Sequence, residues 1–280
     1  MMRALRDSAI EKELQSTLDR GHKVWVIGDV HGFSVTLRQM IETLNLSSED
    51  RVVLLGDLID RGPDSFDVIR CAREDHRIFC VKGNHEGMMA ANFTMEKIDH
   101  PDQDAIAWYH NGGRETVASY FRAFPEDAQG GALQWMMKED IDWVTELPAH
   151  IVLDRWRLVH AGYNPDCGTE EQTEKDLLWI RSAFYRNTHP IDSERTVVFG
   201  HTPTMTLYPR SEDRWGEVWF ADVELEDGRS ASIGMDTCVF HISDHPAVLT
   251  ALDLQTLEIR SLNRCEPWEE DDRIRARFMH

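Results

Sequence analysis

The stretch VWVIGDVHGFSVTLRQMIETLNLSSEDRVVLLGDLIDRGPDSFDVIRCAREDHRIFCVKGNHE (24–86) contains three apolar runs of strand length, at 24–28, 51–55 and 77–81. The runs are rich in β-branched residues, which favour a pleated, buried surface. Between the first two lies a helix over 34–45, with Leu37, Met40, Ile41 and Leu44 at i, i+3, i+4 and i+7 and Ser34 as its expected N-cap. A second helix runs from Ser65 to about Arg73. The order βαβαβ implies parallel strands joined by right-handed crossovers.

Each of the three strands ends in a glycine or small residue followed by a side chain that binds metals: GDVHG (28–32), GDLIDRG (56–62) and GNHE (83–86). Two later apolar runs end the same way, RLVHAG (157–162) and VVFGHTP (197–203). Open α/β sheets bind ligands at the carboxyl edge of their strands. Five such ends drawn together would gather Asp29, His31, Asp57, Asn84, His160 and His201. That mixed oxygen and nitrogen set is large enough for two cations sharing a carboxylate, and Asp57 can serve as the bridge. Two imidazoles, an amide oxygen and a shared carboxylate favour Mn²⁺, Fe or Zn²⁺ over Mg²⁺, which prefers oxygen ligands and keeps its waters. His85, next to Asn84, is expected to point elsewhere.

Outward from these motifs, residues 4–20 read as a helix with Leu5, Ile10, Leu14 and Leu18 on one side. The segment 86–150 is polar, contains Trp108, Trp135 and Trp143, and reads as mostly helical, with NGG (111–113) as a turn. The second half alternates strands, at 151–160, 196–200, 217–223, 231–235 and 248–253, with loops. No internal repeat and no Gly/Pro/Ser-rich linker divides the 280 residues, so a single domain over 1–280 is expected.

Composition excludes several classes. The formal net charge of −20 repels nucleic-acid phosphates and leaves no basic track to bind them. No apolar run approaches the roughly 18 residues of a membrane span. The N-terminus, MMRALRDSAIEKELQ, is charged where a signal peptide needs its apolar core, so a cytoplasmic, soluble protein is expected. Five cysteines at wide spacing, with no CxxC pair, argue for reduced thiols and against a disulfide framework or a structural zinc site. The run WEEDDRIRAR (268–277) reads as a solvated tail.

Taken singly each motif is weak; their occurrence in order is specific. The series GDxHG, GDxxDRG, GNHE, HAG, GHTP resembles the phosphoprotein phosphatase family of the calcineurin-like metallophosphoesterases, and its bacterial and phage branch in particular, which NGG after Trp108 also resembles. The resemblance covers about residues 24–240. It implies an α/β fold, a four-layer α-β-β-α sandwich with mixed β-sheets. Asp29, His31 and Asp57 would hold the first metal, and Asp57, Asn84, His160 and His201 the second, with Mn²⁺ as the first choice of occupant and Fe or Zn²⁺ as alternatives. His85 would be the general acid, paired with Asp60. Arg61, and Arg181 in LLWIRSAF (177–184), would grip the substrate phosphate.

The implied activity is a metal-dependent phosphomonoesterase, a protein serine/threonine phosphatase that also takes phosphotyrosine, using a metal-bridging hydroxide for in-line attack. Partners would be phosphorylated proteins or small phosphoesters, with no nucleic acid and no membrane. The alternative on the same scaffold is a dinucleoside polyphosphate hydrolase, acting for example on diadenosine tetraphosphate. Asp60 and GHTP favour the monoesterase, because a leaving alkoxide needs a proton more than a leaving phosphate does. A non-catalytic binding scaffold would have lost ligands or the catalytic histidine, and this chain keeps them. The region IGMDTCVFH (233–241) departs from eukaryotic members, so contacts with their regulatory subunits are not carried over. Asp236 has two readings, a family acid near a strand end or a structural turn residue; Tyr163, directly after HAG, could touch the substrate; Lys82 sits over the site or in solvent, with solvent favoured.

Overall fold

In the computed structural model, residues 5–125, 131–209, 213–242 and 244–266 are described; the expected tail at 268–277 lies outside them. Helix α1 (Ser8–Asp19) is capped by Asp7, whose side chain accepts from the Ala9 and Ile10 N–H groups. The alternation then runs β1 (Val24–Ile27), α2 (Ser34–Thr43), β2 (Arg51–Leu54), α3 (Ser65–Glu74) and β3 (Ile78–Cys80). These three strands are parallel, as the βαβαβ order requires, with Val24 opposite Arg51 and Val52 opposite Ile78. Phe33, not Ser34, occupies the α2 cap and provides no side-chain bond; Ser34 is the first, buried residue of the helix.

The helical segment comprises α4 (Asn84–Asn92), α5 (Met95–Asp99), α6 (Gln103–Trp108), a π turn (Tyr109–Gly113), α7 (Arg114–Ala123) and α8 (Gly131–Glu146). The remainder is β4 (His150–Val152), β5 (Trp156–Val159), α9 (Glu174–Trp179), α10 (Ser182–Tyr185), β6 (Thr196–Phe199), a 3₁₀ turn (Thr204–Thr206), β7 (Trp219–Phe220), β8 (Ser232–Gly234), β9 (Val248–Asp253) and β10 (Ile259–Asn263). The expected strand at 151–160 is a hairpin instead, closed where Leu153 N–H donates to the Trp156 carbonyl. Helices α9 and α10 fall where loops were expected. Strand 217–223 shrinks to two residues at a sheet edge. Strand β10 is largely exposed and lacks the apolar pattern that reveals a buried strand.

Among the described residues two five-stranded mixed sheets form, ordered β10-β9-β1-β2-β3 and β4-β5-β6-β8-β7. Side-chain alternation sends each strand's residues to two different cores. Val24, Val26, Val53 and Leu55 meet Ile151, Leu158, Val198 and Ile233 between the sheets. Trp25, Ile27, Val52 and Leu54 face outward beneath Leu37, Val68, Met89, Val117 and Met137 of the covering helices. On the far side, Val159, Val197 and Phe199 pack under Leu177 and Phe184. This is the four-layer α-β-β-α sandwich. The tryptophans divide: Trp108 is fully buried, Trp143 packs against the outer core, and Trp135 is 58% exposed.

Tyr163 is not at the substrate. It is buried on the outer face of the second sheet, with its hydroxyl 2.7 Å from His150 Nδ1. Burial raises its pKa, so the hydroxyl keeps its proton and donates to the ring. Burial, with the nearby charges of Arg157 and Arg6, lowers the His150 pKa from 6.5 to about 3. Unfolded, His150 takes up a proton near pH 6.5; folded, it resists until about pH 3. Between those values the unfolded chain binds more protons, so stability falls as the pH falls. Urea titrations at pH 7 and 4.5 should show a loss for which this ring accounts on the order of 1–2 kcal/mol. His150→Gln should flatten that dependence, and an unchanged slope would refute the assignment.

Candidate active site

The carboxyl ends of β1, β2, β3, β5, β6 and β8 converge. After β1, β2 and β6, His31, Asp57, Asp60, Arg61 and His201 all hold left-handed backbone, with φ between 47° and 70°. Non-glycine residues seldom adopt it, at a cost of order 1–3 kcal/mol each. A lattice of turn bonds holds them there. Val30 and His31 N–H groups donate to the Asp57 carbonyl, Gly62 N–H to the His31 carbonyl, and Gly200 N–H to the His160 carbonyl. Glu86, fully buried on the first turn of α4, accepts from the backbone N–H groups of Asp57, Leu58 and Gly83 at 2.8–2.9 Å and so ties the ends of β2 and β3 together. Burial and the neighbouring Asp57 raise its pKa to about 7.

All six expected ligands come together. His160 Nε2 lies 2.9 Å from Asn84 Oδ1, 3.3 Å from Asp57 Oδ1 and 3.1 Å from His201 Nδ1. The other oxygen, Asp57 Oδ2, faces His31 Nε2 at 3.8 Å, and Asp29 Oδ2 is 3.9 Å from that nitrogen. Asp57 therefore presents one oxygen to each of two ligand sets. His85 corrects the sequence expectation: it does not point elsewhere, since its Nε2 is 3.7 Å from Asp57 Oδ2 and its ring stands edge-on to His31.

The donor set fits divalent cations. His160 Nδ1 is 2.8 Å from the Leu55 carbonyl and His31 Nδ1 3.0 Å from the Ile59 carbonyl. Each Nδ1–H donates there, which leaves the Nε2 lone pairs facing inward. Burial lowers both pKa values, keeping the rings neutral. Around His160 Nε2, then, an amide oxygen, a carboxylate oxygen and two imidazole nitrogens face one another, nearly all offering lone pairs. Burial, reinforced by Asp236 and Asp57, raises the Asp29 pKa well above the usual range. Burial opposes ionisation of Asp57 too; its pKa is held low where the imidazoles around it, His160 first, carry protons, and neutral rings leave that charge unmatched. A cation supplies the positive charge that such a cluster lacks. His201, with its pKa lowered to about 2 by burial and then by His160, is neutral, and its Nε2 is buried without a hydrogen-bond partner among the described residues.

Beside this cluster sit the residues expected to handle the phosphate and the proton. His85 Nδ1 is 2.7 Å from Asp60 Oδ2. Burial works against its imidazolium, yet Asp57 and the bond to Asp60 prevail and raise its pKa. Arg61 reaches His31 Nε2 at 2.7 Å and His85 Nε2 at 3.1 Å, its guanidinium 4.2 Å above the Phe240 ring. Arg181 is exposed at the rim and donates to the His201 carbonyl at 3.0 Å.

Some participants escaped sequence reading, and others, Asp236 and Lys82, were singled out there without their contacts. Phe240 supports Arg61 and stands edge-on to His31. Asp236 is buried beside Asp29, accepts from Cys238 N–H, and has its pKa raised by burial to about 6. Glu86 was visible as the last letter of GNHE, but nothing local disclosed its three backbone partners. Lys82 is not solvated: it is buried and pairs with Glu174 of α9 at 2.9 Å. Cys80 is a buried thiol whose pKa burial pushes well up, unsuited to a nucleophile. The five cysteines are free.

Residues 22–236 match the family described as calcineurin-like phosphoesterase. The chain is 30% identical over 189 residues to serine/threonine-protein phosphatase 1 of Salmonella typhimurium, covering 64% of this chain and 78% of that protein. It is 32% identical over 197 residues to a symmetrical bis(5'-nucleosyl)-tetraphosphatase of Paracidovorax citrulli, covering 69% of this chain and 59% of that protein. In fold it is similar to a protein serine/threonine phosphatase from Saccharomyces cerevisiae, with a TM-score of 0.54, 14% identity and coverage of 93% and 90%.

Proposed function

The chain belongs to the calcineurin-like phosphoesterase family, and from that premise we propose that it is a dinuclear metal-dependent phosphomonoesterase acting on phosphoserine and phosphothreonine in proteins, and on phosphotyrosine. The observation that carries this reading is the His85–Asp60 pair, closed at 2.7 Å beside the ligand cluster. An alkoxide leaving group requires a proton; a nucleotide or phosphate leaving group is a far weaker base and requires it less. A chain that keeps an oriented acid at its ligand cluster is equipped for the harder leaving group.

Asp29, His31 and Asp57 would hold one cation, and Asp57, Asn84, His160 and His201 the other. Nitrogen-rich ligation favours Mn²⁺, Fe or Zn²⁺, with Mn²⁺ as the first choice. When bound, such a pair lowers the pKa of a shared water and offsets phosphoryl charge. The protein's own residues do the rest. Arg61 and Arg181 bind equatorial phosphate oxygens, Arg61 with its guanidinium plane set by Phe240. In the neutral ring, His85 Nε2 accepts from Arg61; in the imidazolium it donates, and its proton goes to the leaving oxygen. The bond from phosphorus to that oxygen breaks as one to water oxygen forms, giving the alcohol and inorganic phosphate. The proton released by water returns to His85 through solvent. Asp60 orients the ring throughout.

The test is turnover by metal-stripped protein reloaded with Mn²⁺, comparing phosphoserine, phosphothreonine and phosphotyrosine peptides with diadenosine tetraphosphate. Higher kcat/KM on the peptides is the expected result. Preference for the dinucleotide would overturn the reading in favour of a nucleotide hydrolase. Arg61→Ala should raise KM for a phosphopeptide about 10–100-fold, since charge-assisted hydrogen bonds contribute about 1.5–3 kcal/mol. A change in kcat alone would remove Arg61 from phosphate binding.

A further inference from the structure

Asp60 is fully buried, and both its oxygens are engaged by groups the reaction does not otherwise use. The Trp108 indole N–H donates to Oδ2 at 2.8 Å, the same oxygen that receives His85 Nδ1 at 2.7 Å. Thr116 Oγ1 donates to Oδ1 at 2.5 Å and accepts from the Asp60 backbone N–H at 3.0 Å. Donors fixed on opposite oxygens set the plane of a carboxylate that a single partner would leave free to rotate.

The backbone beneath is held by the same short segment. Asp60 and Arg61 are both left-handed, with φ of 70° and 68°, and Arg61 N–H donates to the Gly112 carbonyl at 3.1 Å. Gly112 sits at φ +106°, where a Cβ would come within 2.4 Å of Arg61 N; a Cβ on Gly113 would come within 2.4 Å of the Trp108 ring. The glycine pair thus lets one turn approach the Asp60–Arg61 loop and the indole together. Residues 108–116 form a cradle that belongs to the helical segment and not to the sheets that hold the ligand cluster.

We propose that this cradle, through Trp108 and Thr116 as positioning residues, determines which leaving groups the enzyme can expel. It holds Asp60 so that His85 is aimed for proton delivery to a poor leaving group, and it leaves hydrolysis of good leaving groups largely untouched. The inference rests on the acid role given to His85 above.

The test is the dependence of kcat on leaving-group pKa, measured with Mn²⁺-loaded protein over a series from 2,4-dinitrophenyl phosphate through phenyl phosphate to a phosphoserine peptide, with diadenosine tetraphosphate alongside. Trp108→Phe and Thr116→Val should steepen the dependence. We expect a fall of about 10–100-fold on phosphoserine, at or below the low end of the roughly 10²–10⁴-fold that a general acid contributes, and less than about threefold on the dinitrophenyl ester and the dinucleotide. Thr116→Ser, which keeps the hydroxyl, should restore the wild-type slope. Metal content by inductively coupled plasma spectrometry should stay constant in all variants. A uniform loss on every substrate, or no rescue by serine, would overturn the inference and reduce the cradle to core packing. A wild type that prefers the dinucleotide, or whose slope His85→Asn leaves unchanged, would instead refute the functional reading. The slope remains measurable in either case.

Discussion

Asp57→Asn should cut kcat/KM by about 10³-fold or more and lower the bound divalent cations from two per chain toward one. The carboxylate offers Oδ1 toward His160, at 3.3 Å, and Oδ2 toward His31, at 3.8 Å. An amide keeps one oxygen and replaces the other with a donor that no cation accepts. It also removes the negative charge that four imidazoles surround. Charge stabilisation by a metal pair amounts to several kcal/mol, and each 1.36 kcal/mol is tenfold in rate. The fold should survive, because asparagine can still accept the His85 backbone N–H that now meets Asp57 Oδ1 at 3.1 Å. Metal analysis with thermal unfolding as a control separates the cases. A variant that folds, holds two cations and turns over normally would show that Asp57 is not the bridge.

His85→Asn should lower kcat on a phosphoserine peptide by about 10²–10⁴-fold, the usual scale of general acid–base catalysis. KM should change little, because phosphate binding is assigned to Arg61 and Arg181. The loss should shrink on 2,4-dinitrophenyl phosphate, whose leaving group departs without a proton. His85 is the one imidazole of the cluster that burial fails to neutralise, since Asp57 and Asp60 hold its pKa above the ordinary value. His31, His160 and His201 are all pushed down. The four rings therefore differ: three have their pKa lowered and one has it raised. A loss of equal size on all leaving groups would remove the proton-delivery role and leave His85 as a structural or ligand residue.

The division between local and distant information is visible residue by residue. The parallel core of the first sheet was legible because β-branched runs and a 3.6-residue apolar period are local patterns. The strand-end motifs were legible because each packs its chemistry into three to seven consecutive residues. Strand β10 was not, because its side chains are mostly exposed and carry no alternation. Helices α9 and α10 were missed because six- and four-residue helices are too short for a periodic signal. Tyr163 and Lys82 were misplaced because sequence proximity to a motif says nothing about which face of a sheet a side chain takes. One residue beyond HAG, the chain has already turned into the outer core.

By itself, then, the sequence determined the parallel sheet, the residue types at each strand end and the set of six candidate ligands, since these depend on near neighbours along the chain. Only the tertiary structure decided how they face one another. It brought Asp236 beside Asp29, turned His85 toward Asp57, seated Arg61 on Phe240, and reached across from Trp108 and Thr116 to fix both oxygens of Asp60. Those contacts join residues tens to hundreds of positions apart. They exist because two sheets pack face to face and a helical segment closes over one of them, and such packing leaves no local trace in the chain.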